Sequence, residues 1–382
     1  MKKRRIAIVT ESFLPQINGV TNSVLRVLET LKQREFEAMV IAPTRASSHH
    51  LGFPVHTVPS IEVRSFPVGI PSPSVAKLLD SFQPDLVHLA APFWLGAHAI
   101  DWSTRNSVPS VAVYQTDIAG YCSRYGLGFA RPFIDNLTAR IHSPATLSVA
   151  PTSESANQLK ALGVKNVSIW GRGIDTDLFT PEIKRTAEVQ LLKKRIAPNS
   201  ELIIGFVGRL AAEKQVMRLL ELADLPNIKF LIVGDGPDRS RLEAAFAPFG
   251  AHFAGMQTGI NLANHYAAID VFVHCGTEET FGQTIQEAKA TGIAVVAPDQ
   301  GGPKHLIESG TTGILVNPSD EGAYRRAVVE LMDDSLRAQM SQNARISVLE
   351  NTWAKNNNAL LEIYEQAIQD SSTSRKSVLE LA

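Results

Sequence analysis

Short runs of Val, Ile and Leu recur along the 382-residue chain, and each is followed by a turn marked by Gly or Pro and then by a helical pattern. Parallel strands that helices bury on both faces have this continuous apolar character. The pattern predicts an α/β protein with two doubly wound, Rossmann-like halves, and the absence of a tandem repeat argues against a solenoid or a propeller. The predicted strands are 5–10, 38–42, 85–90, 110–114 and 147–151 in the first half, and 202–207, 229–233, 270–274, 293–297 and 313–316 in the second.

The length of the chain and one proline-containing stretch predict where the domains meet. At about 150 residues per domain, the length allows two to three domains. Residues 171–200 carry Pro181 and Pro198 around a charged helical segment, which is typical of a hinge. The predicted organisation is an N-terminal domain over residues 1–170, a C-terminal domain over 171–360, and a last helix over 361–382 that packs back toward the first domain and ends in a frayed tail.

Composition excludes several classes of protein. Apolar residues make up 44% of the chain and charged residues 20%, as in ordinary globular proteins. No window approaches the roughly 18 apolar residues of a membrane span, and the apolar run after the basic start is too short for a signal peptide. Cys122 and Cys275 cannot form a disulfide framework or a Cys-rich metal site. We therefore expect a cytoplasmic protein.

The net charge of -1 conceals an uneven distribution. Residues 1–170 carry 16 Lys and Arg against 11 Asp and Glu, whereas the rest of the chain carries 21 against 27. A basic half can face an anionic surface or substrate, although surface charge also drifts without function. The basic half begins with Lys2-Lys3-Arg4-Arg5. It also contains residues 54–73, which hold five prolines and are predicted to form a long irregular loop with exposed Phe66, Val68 and Ile70.

A glycine turn with two cations follows the first predicted strand of the second half. After Gly208, Arg209 and Lys214 stand five residues apart. The planar fork of arginine and the point charge of lysine suit a diphosphate, and solvated surface cations are the plain alternative. The next strand leads to Gly234, which begins a sequence similar to a dinucleotide fingerprint. Arg239 stands where the third glycine should be, which argues against a dehydrogenase.

An acidic segment after the predicted strand 270–274 is the most specific feature. Glu279 precedes a predicted helix and Glu287 lies within it. N–H groups near Phe281 and Gly282 can bind a phosphate at the positive end of this helix, while the two carboxylates accept hydroxyl hydrogens from one ligand. Acidic residues on an ordinary helix surface are the alternative.

Two further features are less specific. Asn18 and Gly19 open a predicted helix after the first strand, where a glycine lets backbone N–H groups approach a phosphate or a sugar oxygen. A tight turn without a ligand is the alternative. Asp175 and Asp177 have the spacing of metal ligands, but they lie in the predicted hinge, and we expect a structural role for them.

Together these motifs resemble the retaining glycosyltransferases of family 4, which have the GT-B fold of two Rossmann-like domains that face each other across a cleft. The resemblance covers essentially the whole chain. Segments 11–23 and 114–117 are similar to actinobacterial GDP-mannose-dependent α-mannosyltransferases that act on glycolipids, and also to UDP-sugar enzymes that make sulfoquinovosyl and glycosyl diacylglycerols. The most specific residues are Gly208-Arg209 with Glu213-Lys214, Glu279 with Glu287, Arg172-Gly173-Ile174-Asp175 and Gly301-Gly302-Pro303.

The resemblance implies roles for several of these residues. Arg209 and Lys214 would neutralise the diphosphate of the donor and stabilise it as it leaves. Glu279 would bind hydroxyls of the donor sugar, and Glu287 would bind the ribose. The other donor-binding residues that the resemblance implies are Gly19, Gly208, Gly234, Met256 beside the base, Thr280, Phe281 and Gly282.

On the acceptor side, the resemblance points to Gln115 and Asp117. Gln115 stands where many relatives have a histidine near the reacting sugar, and an amide cannot take up a proton. Asp117 is the nearest titratable group, and with Arg209, Lys214 and Glu279 it completes the predicted catalytic set. Relatives of this fold generally need no metal, so neither a metal nor another cofactor is expected beyond the nucleotide sugar.

The sequence thus predicts a retaining glycosyltransferase that moves mannose from GDP-mannose onto a lipid-linked or glycolipid acceptor. The alternative is a UDP-sugar-dependent glycosyl- or sulfoquinovosyl-diacylglycerol synthase, and a sugar-nucleotide epimerase or a silent glycan-binding protein of the same fold ranks below it. The expected partners are the nucleotide sugar, the lipid acceptor and, weakly, the anionic inner face of the plasma membrane. No nucleic acid is expected.

Overall fold

Two mainly parallel sheets, one in each of two compact units, form the framework of the protein. The computed structural model describes residues 3–63, 66–70, 72–90, 92–115 and 128–380. Within this part of the chain, the first unit contains the residues up to 172 together with 353–380, and the second unit contains residues 173–352.

The first unit is built on an eight-stranded sheet. The strands of this unit are β1 (Arg5–Thr10), β2 (Glu37–Ala42), β3 (His49–His50), β4 (Phe53–Thr57), β5 (Ser60–Val63), β6 (Phe66–Gly69), β7 (Leu86–Ala90), β8 (Ser110–Val113), β9 (Leu147–Ala150) and β10 (Val167–Ile169). The sheet has the order β10-β9-β8-β7-β1-β2-β4-β3, in which β3 and β4 are antiparallel and the other neighbours are parallel. Strands β5 and β6 form a separate antiparallel hairpin.

Helices cover both faces of this sheet. They are α1 (Gly19–Gln33), α2 (Pro73–Phe82), α3 (Trp94–Arg105), α4 (Arg131–His142) and α5 (Ser153–Ala161). Side chains alternate along a strand, so β1 contributes to a core on each face of the sheet. Ile6 and Ile8 pack into one core together with residues of α1. Ala7 and Val9 pack into the other together with residues of α2 and α3. Burial on both faces explains why the strands are apolar throughout.

The prediction that residues 54–73 form an irregular loop was wrong. Strand β4 pairs with β2, and β5 pairs with β6. Phe53 and Val55 are buried, and the alternating residues Pro54 and His56 are half-buried. The segment therefore has the two-residue period of a strand. The five prolines outweighed this short alternation in the sequence analysis. Ile70, just after β6, is exposed as expected.

The second unit repeats the architecture with a six-stranded parallel sheet in the order β13-β12-β11-β14-β15-β16. Its strands are β11 (Leu202–Val207), β12 (Ile228–Val233), β13 (His252–Gly255), β14 (Val271–Val273), β15 (Ala294–Pro298) and β16 (Ile314–Val316). Its helices are α6 (Ala187–Ile196), α7 (Arg239–Phe246), α8 (Gly259–Ala268), α9 (Gln283–Ala290), α10 (Pro303–Leu306), α11 (Ala323–Glu330) and α12 (Asp334–Val348). The predicted α/β fold class with two Rossmann-like domains is therefore confirmed.

The last helix, α13 (Trp353–Glu380), belongs to the first unit. It begins earlier than the predicted residue 361 and continues past Ser371, where fraying was expected. Leu360 and Tyr364 pack into the same core as β1 and α1, and the Tyr364 hydroxyl lies 2.7 Å from Nδ1 of His88 on β7. None of the helices in the described ranges is both long and apolar enough to cross a bilayer.

Candidate active site

The carboxyl ends of β11 and β14 lie side by side at the centre of the second sheet. Strand β11 is flanked by β12 on one side and β14 on the other, so the chain order reverses at this point. Doubly wound proteins bind ligands at such switch points. The predicted donor-side segments 208–214 and 278–287 follow β11 and β14. The fold therefore places them where it favours a ligand.

Lys214 and Glu279 form an ion pair at this point, with 2.5 Å between Nζ and Oε2. Each side chain is only 18% exposed, and partial burial makes the attraction stronger than that of a surface pair. Nη1 of the more exposed Arg209 lies 3.8 Å from Oε1 of the buried Glu213. Two cations thus stand just beyond β11, and each is positioned by a carboxylate.

The loops after β11 and β12 contact each other through their backbones. A Cβ atom on Gly234, whose φ is +131°, would lie 1.9 Å from the carbonyl oxygen of Gly208. No side chain fits at this position, so a glycine is required at 234. Arg239, which replaces the third glycine of the fingerprint, forms ion pairs of 2.8 Å with Asp235 and with Glu243. The positive charge of Arg239 is therefore balanced by these two neighbouring carboxylates at the start of α7.

The N-terminus of α9 is prepared by a tight turn. Gly282 precedes the helix with a φ of +100°, next to the buried Phe281 and the half-buried Thr280. The N–H of Gly302 donates to the Glu279 carbonyl oxygen at 2.6 Å, and a Cβ atom on Gly302 would lie 2.3 Å from the Phe281 carbonyl oxygen. The glycines of the 301–303 motif thus support the backbone that leads into α9. The first turn of α9 carries no acidic residue, so its positive end suits an anion.

Glu287 lies in α9 and has a different partner from Glu279. Its Oε2 accepts a hydrogen bond of 2.8 Å from the hydroxyl of Tyr266, a core residue of α8. Burial raises the pKa of Glu287 to about 7, and the hydrogen bond from Tyr266 partly opposes that increase. Glu287 therefore titrates near neutral pH. The Glu279 carboxylate, in contrast, forms an ion pair with Lys214.

His274 is a neighbour of this pair that the sequence analysis treated only as the end of a strand. The ring is fully buried, and burial lowers its pKa to about 4; the charge of Glu279 opposes this decrease and that of Lys214 adds to it. A neutral imidazole therefore lies close to the ion pair. A polar residue at the carboxyl end of a central strand was the signal that could have identified it.

Met256 follows β13 and has an exposed side chain. The N–H of Gly234 donates to the carbonyl oxygen of Gly255 at 2.8 Å, which links this edge of the sheet to the loop after β12. The flexible thioether is suited to contact a flat ring. Met256 therefore remains a candidate for the base-binding residue.

In the first unit, the predicted residues Gly19 and Gln115 meet at Arg172. Nη2 of Arg172 donates to Oε1 of Gln115 at 2.9 Å, and a Cβ atom on Gly19 would lie 2.6 Å from Nη1 of Arg172. Asn18 caps α1 by accepting from two backbone N–H groups. Asp117, predicted beside Gln115, lies outside the described residues. Sequence analysis had assigned no role to Arg172.

Glu11 is a second residue of the first unit whose role the sequence does not predict. It follows β1, and its Oε1 accepts from the N–H groups of Phe93 and Leu95 at 3.0 and 2.7 Å, at the start of α3. Burial raises the pKa of Glu11 to about 7, against the lowering effect of these bonds. A carboxylate directly after an apolar strand was the available signal.

Asp175 has a structural contact of the kind expected. Its Oδ1 accepts from the N–H of Leu178 at 3.1 Å, as in an Asx turn. Across the described ranges, no group of three His, Cys, Asp or Glu side chains is arranged to hold a metal ion.

A doubly wound fold with two cations at a switch point suits a substrate that carries a diphosphate. Residues 17–178 match the family model described as Glycosyltransferase Family 4, and residues 190–347 match the one described as Glycosyl transferases group 1. A GDP-mannose-dependent alpha-mannosyltransferase of Mycobacterium tuberculosis is 43% identical, with 94% of this chain and 96% of that protein covered. The chain belongs to the family 4 glycosyltransferases.

A more distant relative and a solved structure agree with this assignment. A sulfoquinovosyl transferase of Arabidopsis thaliana is 29% identical, with 92% of this chain and 71% of that protein covered. The crystal structure of HepE from Anabaena in complex with UDP and glucose has a TM-score of 0.77 at 20% identity and covers 94% of this chain and 99% of that one. The structural likeness supports the GT-B fold, and the predicted family is confirmed.

Proposed function

We propose that the chain transfers mannose from GDP-mannose, with retention of configuration, to a lipid-linked or glycolipid acceptor. The observation that carries the proposal is the Lys214–Glu279 ion pair beside Arg209 at the switch point of the second sheet. It combines cations for a leaving diphosphate with a carboxylate for sugar hydroxyls. The 43% identity to a GDP-mannose-dependent enzyme, against 29% to a sulfoquinovosyl transferase, favours GDP-mannose as the donor.

The cations act on the leaving group. Negative charge grows on the diphosphate as the bond between sugar and phosphate breaks, so a positive group fixed nearby stabilises the transition state more than the ground state. Arg209 and Lys214 supply two such groups, and the N–H groups at Phe281 and Gly282 supply the positive end of α9. Glu279 positions Lys214 through Oε2, and its carboxylate is the proposed acceptor for a sugar hydroxyl.

The remaining contacts bind the nucleoside. Glu287 accepts a hydrogen bond from a ribose hydroxyl, and Tyr266 fixes its carboxylate for that purpose. Met256 covers one face of the base. Gly234 lets the loop after β12 pack against the carbonyl oxygen of Gly208, and these two loops lie beside the proposed phosphate site. On the acceptor side, Gln115 contacts sugar oxygens, and Asp117 is the candidate titratable group.

The test is release of GDP from GDP-mannose by the purified protein in the presence of a glycolipid acceptor. Arg209→Ala and Lys214→Ala are expected to lower turnover at least tenfold, since about 1.4 kcal/mol of lost transition-state stabilisation gives that factor. Lys194→Ala, on the exposed face of α6, is the matched control. Near-normal turnover in both site variants would refute the assigned roles, and a protein that uses only UDP-sugars would refute the donor.

The two adjacent carboxylates test the position of the motif. Glu279→Ala is expected to reduce turnover more than Glu278→Ala, because Glu279 is the residue paired with Lys214. Equal losses in the two variants would show that the ion pair does not define the sugar site.

We also propose that the first unit docks weakly on an anionic membrane, on its cytoplasmic face, to reach a lipid acceptor. Phe129 and Phe133 support this, because they are 81% and 61% exposed and stand four residues apart where α4 begins. Arg131 and Arg140, both on exposed parts of α4, add basic groups that are partly neutralised by ion pairs with Asp135 and Asp101 at 3.5 and 3.2 Å. Apolar tips beside basic side chains are typical of interfacial binding.

This surface differs from the one expected from the sequence. Arg4 pairs with Glu365 and Arg5 pairs with Glu37, both at 3.2 Å, so the N-terminal basic cluster is partly neutralised. The exposed phenylalanines therefore provide the better candidate for the contact with lipid.

Co-sedimentation with vesicles tests the membrane proposal. Binding to anionic vesicles is expected to fall as salt rises and to fall further when Phe129→Ser and Phe133→Ser are combined. Ile346→Ser, at an apolar position of the second unit that is also exposed, is the matched control and should bind like the wild type. If the unsubstituted protein does not bind at low salt, the proposal is refuted.

A further inference from the structure

Arg172 is a buried cation that joins two predicted site residues of the first unit. Its side chain and that of Gln115 are almost fully buried, at 8% and 5% exposure. Nη2 donates to Oε1 of Gln115 at 2.9 Å. On its other branch, Nη1 occupies the space that a side chain on Gly19 would need, 2.6 Å from the position of a Cβ atom.

The chemistry of this pair fixes the orientation of the Gln115 amide. A guanidinium group has N–H donors and no acceptor, so the amide must turn its carbonyl oxygen toward Arg172. If the amide were flipped, donors would face donors in a buried site, which is unfavourable. The NH2 group of Gln115 is consequently the branch directed away from Arg172.

We infer that Arg172 is a positioning residue that holds Gln115 as a hydrogen-bond donor to a sugar oxygen at the carboxyl edge of the first sheet. The inference rests on the proposed function and deepens it. Gln115 follows β8, and Gly19 opens α1 after β1, so both lie at the carboxyl edge of the first sheet, where doubly wound folds bind ligands. Gly19 serves this arrangement by leaving space for the guanidinium.

This assignment gives Gln115 a role that does not involve proton transfer. An amide N–H stabilises a sugar or phosphate oxygen and gains strength as negative charge grows on it. A carboxylate at the same position could keep the contact with Arg172, but it would have no hydrogen to donate. A neutral imidazole could accept from Arg172 with one nitrogen and donate with the other.

Three substitutions at position 115 therefore separate the donor role from a structural one. Gln115→Glu keeps the size of the side chain and strengthens the pair with Arg172, and we expect it to lose at least tenfold in kcat/KM while its melting temperature is maintained. Gln115→His is expected to retain more activity than Gln115→Glu near neutral pH. Below about pH 6.5 it should lose that advantage, since protonation removes the nitrogen that accepts from Arg172. Gln115→Met, which neither accepts nor donates, is expected to be as inactive as Gln115→Glu.

Substitutions of Arg172 test the positioning role. Arg172→Met is expected to lower kcat with a smaller effect on the KM for GDP-mannose, because a mobile Gln115 still allows the nucleotide to bind. Arg172→Lys should restore part of the loss, since an ammonium can also donate to Oε1. Gln33→Glu, at an exposed position of α1, is the control for the negative charge that Gln115→Glu adds.

The outcomes distinguish the inference from the proposed function. If the wild-type protein forms no mannosylated product, the proposed function fails. If the wild type is active and Gln115→Glu is as active as the wild type, or more active than Gln115→His at neutral pH, the donor role of Gln115 is overturned. If Arg172→Met is fully active, its positioning role is overturned.

Discussion

Removing the hydroxyl of Tyr266 tests how the second unit controls a ribose-binding carboxylate. This hydroxyl donates to Oε2 of Glu287 at 2.8 Å, and burial raises the pKa of that carboxyl to about 7. A hydrogen bond to a charged group is worth about 1.5 to 3 kcal/mol, and about 1.4 kcal/mol corresponds to one pKa unit. Tyr266→Phe removes this stabilisation of the carboxylate and should raise the pKa of Glu287 by about one unit or more.

The change should be visible in the pH dependence of donor binding. An ionised Glu287 accepts a stronger hydrogen bond from a ribose hydroxyl than a protonated one does, by about 1 kcal/mol, which corresponds to about fivefold in affinity. The affinity of the wild type for GDP-mannose should therefore rise about fivefold as pH increases through about 7. In Tyr266→Phe the same rise should occur about one pH unit higher.

Calorimetric titration between about pH 5.5 and 9.5 measures this midpoint. GDP-mannose is the suitable ligand, because the terminal phosphate of GDP itself titrates near pH 6. Tyr364→Phe is the matched control, since it removes a buried hydroxyl that contacts His88 in the first unit. A pH-independent affinity in the wild type, or the same midpoint in the wild type and in Tyr266→Phe, would refute the role of Glu287.

Three further predictions concern stability. Because the pKa of Glu11 is raised to about 7, its ionisation opposes folding: the penalty is absent below the ordinary pKa of 4.5, grows between pH 4.5 and 7, and is complete above pH 7. The advantage of Glu11→Gln over the wild type in free energy of unfolding should therefore grow by about 3 kcal/mol between about pH 4.5 and pH 8. Urea unfolding at these two pH values measures it. Arg345→Met should destabilise the second unit by about 2 to 4 kcal/mol, since the guanidinium donates to three backbone carbonyls at 2.7 to 3.2 Å. Gly234→Ala should destabilise it by at least about 3 kcal/mol, because of the clash with the Gly208 carbonyl oxygen, and a thermal midpoint equal to that of the wild type would refute the close approach.

The sequence predicted the parallel strands well because their signal is local. Each of the predicted strands is present with ends within one residue of the prediction. Burial on both faces produces a run of apolar residues that can be read without knowing what covers it. Strand β13 (His252–Gly255) was missed because it lacks this signal. It is an edge strand of its sheet, and its residues are only half-buried. Its register against β12 also shifts, so the period is weak.

The candidate site was predicted unevenly, and the division follows the range of the contacts. Lys214 and Glu279 were identified through the motifs in which each lies, although 65 positions separate them and their pairing is visible only in the fold. Arg172 lies 57 positions from Gln115, and neither residue type at its position indicates a hydrogen bond between them. Glu11 likewise depends on the start of α3. For such residues the local pattern can mark the position, but the role arises from tertiary contacts that are visible only in the fold.

Charge distribution connects the fold to the membrane proposal. The sequence analysis divided the chain after residue 170, whereas the first unit also includes the last helix. Residues 1–172 and 353–382 together carry 20 Lys and Arg against 15 Asp and Glu, and residues 173–352 carry 17 against 23. The balances of +5 and -6 are the same as those of the simpler division, so the contrast belongs to the units themselves. Because screening limits attraction to charges within a Debye length of about 8 Å of a surface, membrane docking needs basic groups close to the contact. It therefore uses the first unit, which has the positive balance and contains the exposed Phe129 and Phe133.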